Sequence, residues 1–286
     1  MNLNRFVRLL AALVLSCVFF LSLAIPCSAA QSGTDSPGWR HILLVGVDRR
    51  PGERGARSDS MILCSFCPER KEMVMTSILR DLYVPIPGYG CNRLNAAYAF
   101  GGTDLLEKTL QKNLGLQPEG LFEVDFSQFP QVIDALGGVS IQLRADEAQA
   151  VNTATNGCLS EGLHTLNGEQ ALAYARIRDL DPDGDFSRTG RQRKLLQSLL
   201  QAQRQASLPS LLSAVNHALP MVSTDMGTGQ VVQLAMDLFP LLGSGSITSR
   251  CIPEEGTYRY KTIDKMCVLV ADLPEVRKNL RDFFQE

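Results

Sequence analysis

The sequence predicts an α/β fold: a central mixed β-sheet sandwiched by helices, in a single domain after an N-terminal export segment. Three observations carry this. His41–Val47 (HILLVGV) is a continuous apolar run ended by Asp48, as expected of a central strand buried on both faces. Met61–Phe66 and Met73–Ile78 are two more strand-like runs separated by the polar turn 68–71, so they pair as an antiparallel hairpin. Beyond them helical and strand periodicities alternate, the pattern of a sheet covered by helices.

The chain opens with an export signature. Arg5 and Arg8 precede the apolar stretch Leu9–Ile25, and Ser28-Ala29-Ala30 supplies the small residues of a signal-peptidase site. That stretch lies at the lower edge of what crosses a bilayer, so residues 1–30 read as a signal peptide or a signal anchor, with 31–40 as a short linker. No repeat or Pro/Gly-rich linker interrupts residues 41–286, which favours one domain with a motif-bearing core over 41–205 and further helices and strands over 206–286.

Asp104–Leu114 reads as a helix with an Asp cap, Glu107 three residues on and Gly115 as its stop. Leu121–Asp125 reads as a strand. Ser127 is placed to cap a helix whose Phe129, Val132, Ile133 and Leu136 recur at helical spacing before Gly137-Gly138; Val139, Ile141 and Leu143 then alternate as a strand. Asn167 with Gln170 forms a capping box for a helix through Tyr174. Another helix runs from Ser187 to about Gln205, with Arg188, Gln192, Leu195 and Leu199 along one stripe. Pro209–His217 and Gln230–Leu242 read as helices, Ile247–Ile252 and Tyr258–Thr262 as strands, and Leu273–Phe284 as a closing helix.

With 45% hydrophobic residues and a formal net charge of −2, the composition excludes a basic coat, and no nucleic-acid partner is expected. An anion site must then be a local concentration of arginine. Three clusters supply one: Arg57-Ser58-Asp59, Arg80-Asp81, and the run from Arg176 to Gln192. Guanidinium groups bind phosphate oxygens bidentately and carboxylates hold Mg²⁺, so the combination suits a pyrophosphate-like anion bound with a metal. Asp48 ends the first strand, at the sheet edge where ligands collect. Arg176 and Arg178 share one face if their segment is extended, opposite Ala175 and Ile177, and the extended form is predicted. Arg188 in a first helical turn opposes the helix dipole unless an anion is present. The ordinary alternative is ion pairing with Asp179, Asp181, Asp183 and Asp185, with Arg178 pairing Asp179 or Asp181. Arg191 and Arg193 read as solvated, and Tyr98, Phe100 and Phe126 as core packing. Eight cysteines in an exported chain permit disulfides, Cys251–Cys267 first, while the scattered His41, His164 and His217 speak against zinc at Cys64 and Cys67.

Six blocks in series carry a resemblance: GVDRR at 46–50, RSDS at 57–60, LRDLYVPIPGYG at 79–90, LNAAYAFGG at 94–102, VDFSQFPQVIDALGGV at 124–139 and LNGEQALAYARIRDLDPDGDFSRTGRQR at 166–193. Together, over residues 40–205, they resemble the LytR-CpsA-Psr family. The resemblance implies an extracytoplasmic enzyme, membrane-associated or secreted into the cell wall. Such an enzyme moves a glycopolymer (a teichoic acid or capsule) from a polyprenyl pyrophosphate-linked carrier to a peptidoglycan acceptor at the outer face of the membrane. It also implies Mg²⁺ at Asp48 and Asp59, and a pyrophosphate site of Arg57, Arg80, Arg176, Arg178, Arg188 and Gln192. Catalytic duty falls to Asp48, Asp59, Arg57 and Arg80. The family fold is an α/β sandwich with a lipid cavity beneath the arginines, expected here to be lined by 104–114, 121–125 and 127–136. Leu79 replaces a usual proline and Cys91 interrupts a loop, and neither touches a charged position. Two other readings stay open on the residues alone: a pyrophosphatase with water as attacker, and a non-catalytic cell-envelope regulator.

Overall fold

The computed structural model describes residues 38–49, 56–202, 204 and 207–285; the expected export segment and most of the linker lie outside the described residues. β1 (Arg40–Asp48), β2 (Arg57–Cys67) and β3 (Glu72–Ile78) form an antiparallel centre, with the 61–66 and 73–78 hairpin as expected. β6 (Gly120–Asp125) adds to β1 in parallel, β10 (Ser246–Ile252) adds to β3 in parallel, and the two-residue β9 (Ser223–Thr224) pairs antiparallel with β6. The resulting order is β10-β3-β2-β1-β6-β9, a mixed sheet.

Helices cover both faces, which is why β1 is apolar from Ile42 to Val47. On one face Leu43, Val45, Met61 and Leu63 share a core with Leu106 and Leu110 of α1 (Asn95–Leu114) and with Leu280 and Phe284 of α8 (Leu273–Gln285). α1 is interrupted at Gly101 and Gly102, the latter at φ +65° and ψ −155°, a conformation open to glycine alone. The expected 104–114 helix is its second half, and Gly115 ends it in the left-handed conformation. On the other face Ile42, Phe66 and Met73 meet Leu234 and Leu241 of α7 (Thr228–Ser244).

A second core lies beside the sheet. The hairpin of β7 (Val139–Leu143) and β8 (Gly162–Leu166) packs with α2 (Phe129–Ala135), α3 (Ala145–Thr155), α4 (Gly168–Arg176) and α5 (Asp185–Ala202) around Ile133, Val151, Tyr174 and Leu195. Arg191 is buried there, with Nε 2.9 Å from Glu147 Oε1 and a short contact to Asp181, so it is not solvated as expected. Arg193 donates to Ser77 Oγ at 2.6 Å, which joins α5 to β3. Ser127 does not cap α2: its hydroxyl donates to Asp125 Oδ1 at 2.6 Å, and Gln128 occupies the cap position.

Two hairpins complete the fold, β4 (Tyr83–Ile86) with β5 (Gly90–Arg93) and β11 (Tyr258–Ile263) with β12 (Met266–Ala271). All six cysteines among the described residues are free thiols. Cys251 stands opposite Ser77 in the large sheet and Cys267 opposite Thr262 in the hairpin, so the expected Cys251–Cys267 disulfide is absent.

The surfaces expected to line a lipid cavity are used in packing: Leu106, Leu110 and Leu114 in the first core, Ile133 in the second. An apolar cleft of about 210 Å³ lies between Phe122 of β6, which belongs to the expected lining, Val215 and Ala218 of α6 (Leu208–Ala218), and Leu234 and Leu238 of α7. Among the described residues no helix is long and apolar enough to cross a membrane.

Candidate functional site

Asp48, Arg57, Asp59 and Arg80 collect at one edge of the sheet, because β1 and β3 end there and antiparallel β2 begins there. Register explains how Asp59 is aimed. Gly46 pairs with Ser60 and Val47 with Ser58, so Asp59 is the extra residue of a β-bulge, a device that redirects side chains. Both Asp59 and Ser60 meet α5: the Asp59 carbonyl accepts from Arg188 Nη2 at 2.9 Å, and Ser60 Oγ donates to Gln192 Oε1 at 2.9 Å. Gly46 permits the arrangement, since a Cβ there would stand 2.9 Å from the Phe126 ring and 3.0 Å from Ser60 Cβ.

Three guanidinium groups form the centre. Arg80 Nη1 donates to Asp59 Oδ1 at 2.7 Å, and its Nη2 lies 3.3 Å from Asp185 Oδ1. Arg188, only 2% exposed, forks onto Asp185 at 2.7 and 3.1 Å. The anion that the helix start required is therefore Asp185, which opens α5. Burial raises the Asp185 carboxyl's pKa, but Arg188, Arg80 and Arg178 outweigh it and hold the group below the ordinary carboxylate range. Arg178 has no carboxylate at ion-pair distance among the described residues, so the expected pair with Asp179 or Asp181 does not form; Asp181 is taken by Arg144 and Arg191. Partial burial, then the charges of Arg80 and Arg188, lower the Arg178 pKa. Asp81 is answered by Arg93, 3.3 Å away, and burial pushes its carboxyl upward.

The second flank is built on Phe126. Arg176 lies over its ring at 5.0 Å and reaches Asp48 Oδ1 at 3.8 Å. Arg176 is the last residue of α4 rather than part of an extended segment; the chain leaves the helix at Ile177 (φ −58°, ψ 128°). The alternation is nonetheless as expected, with Arg176 and Arg178 exposed on either side of buried Ile177. Both line a cleft of about 460 Å³ with Ala150, Ala154, Leu172 and Leu180. Arg57 is exposed and pairs in register with Asp48. Against these five arginines stand Asp48, Asp59 and Asp185, which leaves the site positive.

The model of the LytR_cpsA_psr family matches residues 28–282. The chain belongs to the LytR-CpsA-Psr family. It is 35% identical over 223 residues to Regulatory protein MsrR of Staphylococcus aureus (strain COL), covering 76% of this chain and 65% of that protein. It is also 35% identical over 210 residues to polyisoprenyl-teichoic acid–peptidoglycan teichoic acid transferase TagT of Bacillus subtilis (strain 168), covering 71% and 64%. The chain thus spans just under two thirds of the length of these relatives. Among solved structures, LytR-CPS2A-psr family protein YwtF (TagT) with bound octaprenyl pyrophosphate lipid superposes with a TM-score of 0.65 at 27% identity, over 88% of this chain and 92% of that one.

Within this LytR-CpsA-Psr chain, two residues of the cluster escaped the sequence reading. Asp185 was one of four aspartates with no distinguishing neighbour, and Phe126 read as core. The only local signal for Asp185 is its position three residues before Arg188, at helical spacing. Tyr98 is buried as expected, with its hydroxyl donating to Glu123 Oε2 at 2.7 Å, whereas Phe100 is 41% exposed and stacked on Tyr89 rather than packed in the core. The carboxylates that would be offered to a hard cation at this edge are those of Asp48 and Asp59. No group of three or more His, Cys, Asp or Glu able to hold a metal exists among the described residues. Such a donor set fits Mg²⁺, which binds one or two carboxylates and completes its shell with phosphate and water, and not a metal that needs an all-protein cage.

Proposed function

We propose that this chain is an extracytoplasmic phosphotransferase that moves a glycopolymer from a polyprenyl pyrophosphate carrier to a peptidoglycan hydroxyl, with Mg²⁺ as cofactor. The observation that carries the reading is Arg178: a guanidinium without a carboxylate partner among the described residues, beside Arg80 and Arg188, is unfavourable in the free protein and favourable once an anion arrives. The similarity to TagT, named as a teichoic acid transferase and solved with bound octaprenyl pyrophosphate, points the same way. The export signature of residues 1–30 supports action outside the cytoplasm.

In the reaction the acceptor oxygen bonds to the phosphorus that bears the glycan, the phosphoanhydride P–O bond breaks, and polyprenyl phosphate leaves. Negative charge grows on the bridging and leaving oxygens, where preorganised guanidinium groups stabilise it without reorganisation. Arg80 and Arg188 are fixed in advance by Asp59 and Asp185, so they present their remaining N–H groups in set directions. Arg57, Arg176 and Arg178 complete the binding of the pyrophosphate, and Gln192 is oriented by Ser60. The acceptor's proton passes to Asp48 or Asp59. Mg²⁺ held by the same two carboxylates would neutralise phosphate charge.

The deciding experiment incubates the purified protein with a lipid pyrophosphate-linked glycan, a peptidoglycan acceptor and Mg²⁺. Conjugate is the expected product. Free phosphate alone would establish a pyrophosphatase, and binding without turnover the regulatory role suggested by the name of MsrR.

A further inference from the structure

β11 places Tyr258 and Tyr260 two residues apart, hence on one face of the strand. Tyr258 stacks on Phe186 of α5, with ring centroids 4.9 Å apart and planes at 22°, and Tyr260 meets Tyr258 edge-on at 5.7 Å and 89°. Phe186 is the neighbour of Asp185, so this aromatic shelf begins at the guanidinium cluster. Its other end is tied there as well. Tyr260 pairs across the hairpin with Leu269, whose amide donates to the Asp81 carbonyl at 2.9 Å. Arg93, paired with Asp81, donates to the Cys267 carbonyl at 3.1 and 2.6 Å. Tyr260 is nevertheless 58% exposed, and core packing does not account for it.

We propose that Phe186, Tyr258 and Tyr260 form the subsite for a pyranose ring of the acceptor glycan. The inference rests on the transfer reading above and adds the place where the acceptor is held. A pyranose presents an apolar C–H face to an aromatic ring and hydroxyls around its rim, so a shelf with a phenol and carboxylates at its border matches it. Burial, then Tyr258, Cys267, Asp185 and Asp81, raise the pKa of the Tyr260 phenol, which keeps it neutral and able to donate. Glu255 and Asp183 beside Tyr258 favour a neutral saccharide over a phosphate-bearing ligand or an anionic lipid surface.

The test titrates chitotetraose, a β-1,4-linked amino-sugar oligosaccharide, into the full chain by saturation-transfer NMR, with inorganic pyrophosphate titrated into the same samples by calorimetry. Tyr260→Ala should weaken saccharide binding by about three- to tenfold, the value of one aromatic contact, and leave pyrophosphate affinity unchanged. Tyr260→Phe should retain stacking and most of the affinity. In the transfer assay Tyr260→Ala should raise KM for the acceptor while kcat holds. Equal saccharide binding by wild type and Tyr260→Ala, or no saccharide binding by a wild type that still takes pyrophosphate, overturns the subsite. Loss of carrier affinity in Tyr260→Ala would hand the shelf to the carrier's own glycan, and Tyr260-dependent binding to phosphatidylglycerol vesicles without saccharide binding would hand it to the membrane; either result overturns the assignment. A wild type that binds no pyrophosphate sinks the transfer reading itself, a distinct outcome.

Discussion

Replacing Arg178 by glutamine removes one positive charge from a site where it faces Arg80 and Arg188 with no carboxylate pair of its own among the described residues. A hydrogen bond to an ionised partner contributes about 1.5 to 3 kcal/mol, so pyrophosphate affinity should fall about 10- to 150-fold in calorimetry. Arg178→Lys should fall in between, because it keeps the charge and loses the planar fork. Stability should move the other way or not at all, since the substitution relieves repulsion and breaks no ion pair. Arg188 supplies the contrast: it is buried and forked onto Asp185, so Arg188→Gln leaves a partly buried carboxylate and should cost about 3 kcal/mol, the low end for a broken buried pair because Arg80 remains 3.3 Å from Asp185. Chemical denaturation of both variants, run beside the titrations, separates binding from folding. An Arg178→Gln protein that binds pyrophosphate as wild type does and unfolds more easily would refute the argument.

Asp59→Asn should reduce Mg²⁺-dependent transfer at least about a hundredfold, as loss of a preorganised charge at the reacting group does, with an unfolding midpoint close to wild type because Asp185 still faces Arg80; a normal rate at saturating metal removes Asp59 from the site. Arg191→Met should leave Glu147 buried and unpaired and cost about 3 to 5 kcal/mol in denaturant unfolding, while pyrophosphate affinity in the folded fraction stays within error. Burial lowers the pKa of His41 to about 4. Its imidazole is therefore neutral in the folded chain while the unfolded chain takes up a proton near pH 6.5, so this stability is complete above pH 6.5 and is lost as pH falls towards 4, on the order of 3 kcal/mol in all. An NMR titration with a His41 midpoint near 6 would contradict this.

What was legible in the sequence is what neighbours in the chain decide. The Asn167 capping box is a contact between residues three apart, and it is present at 3.0 and 3.1 Å. The alternation of Val139, Ile141 and Leu143 becomes a strand buried on that face alone. The arginine clusters were legible because few other roles gather guanidinium groups with aspartates in an otherwise near-neutral chain. Long-range partners were not. Asp59 meets Arg188 across 129 positions, and Arg191 meets Glu147 across 44, so nothing local separated buried Arg191 from the cluster. The helical lining expected of 104–114 differs for a related reason: an apolar helical stripe tells that a face is buried, and α1 buries its own against the sheet and α8.

The bulge at Asp59 works as a phase shifter in β2. On its far side, from Met61 onward, side chains alternate in step with the sheet; on its near side Arg57, Ser58 and Asp59 keep a different count, set by the site. A substitution in the hydrophobic half leaves the charged half where it is. Deleting Ser58 does the opposite: the pairings of Met61 with Val45 and of Arg57 with Asp48 can persist, but the bulge closes and Asp59 is drawn into the regular ladder opposite Val47, on the face that Ser58 now occupies. This short segment should therefore tolerate many changes of residue type at its core end and almost no change in length.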